Sequence, residues 1–159
     1  MAIHKNFPDN PFEILKPEER WFPADEILRE KGYQKLLPPL VDKIRREVKK
    51  FRNNGYQGAS GTSKSLLKYW FQTKKNINGI NFQYYFAQRE SIETLVYLTE
   101  VAEIESKHDL LKYSSTDELE ENMFEEDWLR LVIKMATGSG KTKVLSLAIA
   151  WCYFNRLYE

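Results

Sequence analysis

Residues 129–144 read LRLVIKMATGSGKTKV. The first seven alternate or run apolar, which predicts a buried strand. Val144 to Phe154 is apolar at ten of eleven positions, which predicts a helix buried all round. Between them lie Thr137, Gly138, Ser139, Gly140, Lys141 and Thr142. Gly138 and Gly140 permit tight turns, so successive N–H groups can point into one concavity at a helix N-terminus, where unsatisfied donors favour an anion. Lys141 supplies a point charge for β- and γ-phosphates, and the Thr142 hydroxyl suits Mg²⁺. The usual phosphate-loop pattern begins with Gly; here that position is Met135. A strand, a glycine-rich turn and a helix in this order predict an α/β fold with a loop for the phosphates of a nucleotide and its Mg²⁺, the alternative being a plain strand-to-helix turn with a solvated lysine.

Working outward, the 159 residues carry a formal net charge of +1, with 42% hydrophobic and 30% charged residues. That balance excludes disordered, collagenous and disulfide-rich classes. One cysteine, Cys152, suits a reducing compartment and predicts a packed core thiol. There is no secretory h-region and no apolar run long enough to span a bilayer, so a cytoplasmic, non-membrane protein is expected. The small net charge conceals two opposed segments. Residues 41–75 carry ten Lys or Arg against Asp42 and Glu47, a net of +8. Residues 90–127 carry thirteen Asp or Glu against Lys107 and Lys112, a net of −11.

All six prolines fall in the first 39 residues, which predicts turns with a short helix near Ala24–Lys35. Val41, Ile44, Val48 and Phe51 fall on one face of a helix, and Arg45, Arg46, Lys49, Lys50 and Arg52 cover the rest. NNGYQGASGTS (53–63) is a loop, and Thr62 or Ser63 is expected to cap a short helix holding Leu66, Leu67, Trp70 and Phe71. KKNINGIN (74–81) is a turn, and FQYYF (82–86) has the composition of a strand. Residues 88–103 place Ile92, Leu95, Val96, Thr99 and Ala102 on one helical face. Residues 103–127 lack a period and predict an acidic surface insertion. Aromatic residues interleave the basic segment, a pairing that suits nucleic acid as well as an ordinary solvated face.

ATGSGKT preceded by Met135 resembles motif I of superfamily-two helicases and translocases, above all the Res subunits of type III restriction enzymes and their DEAD/DEAH-like relatives. FAQRESIETLVYL (86–98) resembles the Q motif of the same proteins. RWFPADEIL, KLLPPLVDKIRREV and GYQGASGTSKSLLKYWF resemble the leader of a Res-like subgroup. The resemblance implies a mostly helical leader over residues 1–78. It then implies, over residues 79–159, the first strand, P-loop and helix of a RecA-like ATP-binding domain with the insertion 103–127. It implies that Gln88 reads the adenine edge, with Tyr85 or Phe86 stacking on the base. It implies that Thr137 to Thr142 hold the phosphates, that Lys141 supplies the catalytic charge and that Thr142 meets the metal. DNA is the implied partner of the complete protein, with a methyltransferase or specificity subunit beside it.

Such a motor also needs an Asp-Glu motif and arginine fingers downstream of motif I. Asp117-Glu118 and Glu125-Glu126-Asp127 precede it, and 17 residues follow Thr142. The expectation is therefore the N-terminal ATP-binding portion of a helicase, able at most to bind ATP alone and marginal or self-associating in isolation. The alternative is a non-catalytic DNA-binding or interaction module with a vestigial loop.

Overall fold

The computed structural model describes residues 10–14, 40–106, 108–114 and 129–159. The expected helix near residues 24–35, and the part of the acidic insertion from 115 to 127, lie outside the described residues. The order of elements is α1 (Val41–Asn53), α2 (Gly61–Phe71), a hairpin of β1 (Lys75–Ile77) and β2 (Ile80–Phe82), α3 (Phe86–Val96) and α4 (Lys141–Tyr158). A π-helical turn, Tyr97–Val101, extends α3, and a 3₁₀ turn spans His108–Tyr113.

Helix α1 turns its apolar face inward as its spacing predicts, with Val48 and Phe51 buried. Burying each such side chain stabilises by about 1.5–3 kcal/mol. Helix α2 is capped by Ser60, whose Oγ accepts from Ser63 N at 3.0 Å. This corrects the expected cap at Thr62 or Ser63: Ser63 is fully buried one turn further in. The segment 74–81 is more than a turn. Asn78 (φ 53°) and Gly79 (φ 80°) take the left-handed conformations of a two-residue hairpin turn, and Lys75, Asn76 and Ile77 pair antiparallel with Phe82, Asn81 and Ile80. Of FQYYF only Phe82 is in a strand; Phe86 already opens α3.

The main core joins α1, α2, α3 and one side of α4. Leu67, Ile92, Val96, Val144, Leu147 and Trp151 lie within it. The first part of the acidic segment folds back on the core. Ile104 and Tyr113 are buried, and the Tyr97 and Tyr113 hydroxyls meet at 3.1 Å.

Three readings of 129–159 need correction. Residues 129–135 form no strand: among the described residues no segment pairs with them in a ladder. Leu131, Val132 and Ile133 are exposed, not buried. Helix α4 is covered on one side only: Val144, Leu147 and Trp151 face the core, while Leu145, Ile149, Tyr153 and Leu157 form an exposed stripe at four-residue steps. Cys152 lies on the exposed side and is no core thiol.

Two buried phenols give the fold an alkaline signature. Burial raises the Tyr56 pKa well above 10.0, with the neighbouring Glu93 carboxylate adding to it. Burial, then the hydrogen bond with Tyr113, raises that of Tyr97. A group raised in the folded state contributes stability that is complete below its unfolded pKa and is lost as pH rises towards its folded one. In an ultraviolet titration, Tyr56 and Tyr97 are expected to ionise only as the chain unfolds, so Tyr97→Phe should move alkaline unfolding to higher pH. Ionisation of every tyrosine near pH 10 with circular dichroism unchanged would contradict this.

Candidate nucleotide-phosphate site

The glycine-rich turn is shaped by two positive φ angles, 81° at Gly138 and 82° at Gly140. Ser139 closes the turn onto Ala136, its N–H and Oγ donating to the Ala136 carbonyl at 3.3 and 2.6 Å. Gly140 is the N-cap of α4, and its carbonyl accepts from Lys143 N at 2.9 Å. The N–H groups of Gly140, Lys141 and Thr142 donate to no acceptor among the described residues. Three successive free donors at the positive end of an 18-residue helix make a cradle of the kind that favours an anion. Thr137, Lys141 and Thr142 are exposed. The Lys141 ammonium folds back over the turn and donates to the carbonyls of Met135 and Ala136 at 3.2 and 3.1 Å.

Gln88 stands against this turn. It is buried, 5% exposed, in the first turn of α3. Its Nε2 donates to the Ser139 carbonyl at 2.9 Å, and its Oε1 accepts from Tyr85 N at 3.0 Å. One side chain therefore caps α3 and holds the loop ahead of α4. Of the two neighbouring aromatics, Phe86 is buried with the Arg52 guanidinium 5.2 Å from its ring centroid. Tyr85 is 41% exposed, and its ring lies 5.3 Å from Phe12. Pro11 also reaches this corner, its carbonyl accepting from Phe86 N at 2.9 Å.

Two polar junctions behind the site escaped the sequence reading. In the first, Glu93 is fully buried between Arg52, Arg89 and Tyr56. The periodicity of α1 places Arg52 off the apolar face, on the side expected to be solvated, yet its side chain is 4% exposed. The Arg89–Glu93 spacing of four was the available signal. In the second, Trp151 Nε1 donates to Ser63 Oγ at 2.8 Å and to Glu100 Oε1 at 2.9 Å. Asn155 Nδ2 donates to Ser63 Oγ at 3.0 Å, and Ser60 N to Glu100 Oε2 at 2.9 Å. This junction fixes the far half of α4 against α2 and the π turn, and so fixes the axis that starts at the glycine-rich turn.

No group of three or more His, Cys, Asp or Glu side chains among the described residues is placed to hold a metal ion. No described helix is long and apolar enough to cross a membrane. No family model, curated protein or solved structure matches the chain.

Proposed function

We propose that the chain carries the ATP-binding element of a restriction-type DNA helicase or translocase subunit, in which ATP hydrolysis drives movement on DNA. One observation carries this reading. Gln88 and Ser139 belong to the two segments that resemble the Q motif and motif I, 51 residues apart, and they share a hydrogen bond. The cradle beside it suits a polyphosphate: free N–H groups on Gly140, Lys141 and Thr142, and an amine on Lys141 that needs only to exchange two carbonyls for phosphate oxygens.

In this reading the free N–H groups of Gly140, Lys141 and Thr142 bind the phosphates, and Gly138 and Ser139 shape the turn that presents them. Thr142 offers its hydroxyl to a Mg²⁺ that arrives with the nucleotide and neutralises phosphate charge. Gln88 positions the loop with one N–H of its amide and keeps a second for the adenine edge. Tyr85, the exposed aromatic, takes the base rather than Phe86. The finer fold belongs to the same proposal: a parallel P-loop sheet would bury Leu131, Val132 and Ile133 and cover part of the Leu145–Leu157 stripe. DNA, and a methyltransferase or specificity subunit, are partners of the assembled motor.

The test is Mg-ATP binding by calorimetry with Lys141→Ala. A charge-assisted hydrogen bond contributes about 1.5–3 kcal/mol, so affinity should fall roughly 10- to 150-fold. Unchanged ATP affinity would favour the non-catalytic DNA-binding or interaction module, with a vestigial loop.

A further inference from the structure

From Val48 to Arg89 the chain runs 42 residues with eight Lys or Arg and no Asp or Glu. The fold gathers part of this stretch into one row of rings and amines. Lys75 on β1 places its Nζ 4.2 Å from the Tyr69 ring centroid and 5.3 Å from that of Tyr84. Tyr84 meets Phe82 edge-on at 4.9 Å. Lys143, in the first turn of α4, lies 5.8 Å from the Phe82 centroid. Tyr69, Tyr84 and Phe82 thus run from α2 across the hairpin towards the phosphate loop. Tyr69 is 58% exposed, and Lys68 and Lys74 are exposed beside it. A cavity of about 230 Å³ opens at the Phe82 and Tyr84 end of the row, lined also by Phe71, Lys74, Asn81 and Gln83.

We infer that this row is a binding surface for single-stranded nucleic acid, with bases stacking on Tyr69, Tyr84 and Phe82 and phosphates paired by Lys68, Lys74 and Lys75. Three features select this ligand. The absence of any acidic residue over 42 positions suits a polyanion. Ring faces already occupied by ammonium groups are ones a base can take while the amine moves to the adjoining phosphate. A duplex keeps its base faces stacked inward and meets such a surface only through phosphates, leaving the rings without a role. An acidic peptide would likewise use the lysines alone. Asn81 and Gln83 add amide donors and acceptors for the edge of a base that enters the cavity. The surface is separate from the phosphate cradle and stands whether or not ATP binds there.

The experiment is fluorescence anisotropy of a labelled oligothymidylate with the full chain, without nucleotide, over a range of salt. The strand should bind more tightly than a duplex of equal length, and affinity should fall as salt rises. Tyr69→Ala and Phe82→Ala should each weaken binding about 5- to 150-fold, the range for one lost stack. Lys75→Gln should lower the salt slope by about one. Tyr69 is largely exposed, so its variant should keep the wild-type circular dichroism and the wild-type affinity for Mg-ATP. The inference is overturned if the strand does not bind, if both ring variants bind as wild type, or if duplex or polyglutamate competes as well as single strand. Failure of ATP binding with strand binding intact would sink the nucleotide reading and leave this one in place.

Discussion

Glu93→Ala is expected to bring the chain to the edge of unfolding. The carboxylate is fully buried on α3. Its Oε1 accepts from Tyr56 OH and Arg89 Nε, both at 2.7 Å, and its Oε2 accepts from Arg52 Nε at 2.7 Å. Arg52 Nη2 lies 2.6 Å from Oε2, yet neither Nη atom has a hydrogen-bond partner of good geometry. One hydrogen bond from Nε and the proximity of the Glu93 charge are thus what offset the burial of Arg52. The next carboxylate, Glu90, is 3.8 Å from the same nitrogen. Removing Glu93 leaves two guanidinium groups, 4% and 15% exposed, without their shared counter-charge. Breaking a buried pair in this way costs about 3–5 kcal/mol. A domain has about 5–15 kcal/mol in total. For a chain of this size the midpoint should fall by roughly 6–20 °C. The double change of Arg52 and Glu93 to Met and Leu should cost less than Glu93→Ala alone, since no unpaired Arg52 charge remains. Thermal melts followed by circular dichroism decide it; a Glu93→Ala midpoint within a degree or two of wild type would mean that this pair carries no weight.

That cluster also marks the limit of what the sequence makes legible. Helix α1 is readable because Val41, Ile44, Val48 and Phe51 repeat at helical steps, and the turn at 138–140 is readable because Gly138 and Gly140 sit where φ must be positive. Periodicity assigns polar residues to solvent, so it cannot find Arg52 or Glu93, whose burial depends on partners 41 positions apart. The hairpin carried its own signal, Asn78-Gly79, but its strands are only three residues each, too short for alternation to register. Residues 129–135 fail for the opposite reason. Their composition states a preference for the extended chain, whereas a strand exists only with a neighbour to bond, and composition says nothing of neighbours. The same holds for α4: ten apolar residues in eleven announce burial on every side, but the described elements cover one side. Of the candidate site, the turn and the helix that starts at Lys141 are legible. The bond that carries the proposal, Gln88 to Ser139, is not, because each segment is read separately along the chain.

That bond gives the loop glycines unequal tolerance, and the inequality can be measured. Gly138 and Gly140 have nearly the same φ, so alanine at either meets the left-handed penalty of about 1–2 kcal/mol. Their surroundings differ. A Cβ at Gly138 has no atom within 4 Å, whereas one at Gly140 falls 2.2 Å from Gln88 Nε2. Gly140→Ala must therefore also displace the Gln88 amide from the Ser139 carbonyl, forfeiting a further ~0.5–1.5 kcal/mol and releasing the loop from α3. Gly138→Ala is expected to cost stability alone and Gly140→Ala to weaken Mg-ATP binding as well, by about tenfold more than its neighbour. Because the extra loss runs through one side chain, Gln88→Ala should bring the two glycine variants together, a coupling of the kind a double-mutant cycle isolates. Melting and nucleotide titration of the two single glycine variants, Gln88→Ala and both glycine–Gln88 double variants give the answer. Equal behaviour of the two glycine variants with Gln88 in place would show that the Gln88 contact does not hold the loop, and the observation carrying the nucleotide proposal would lose its force.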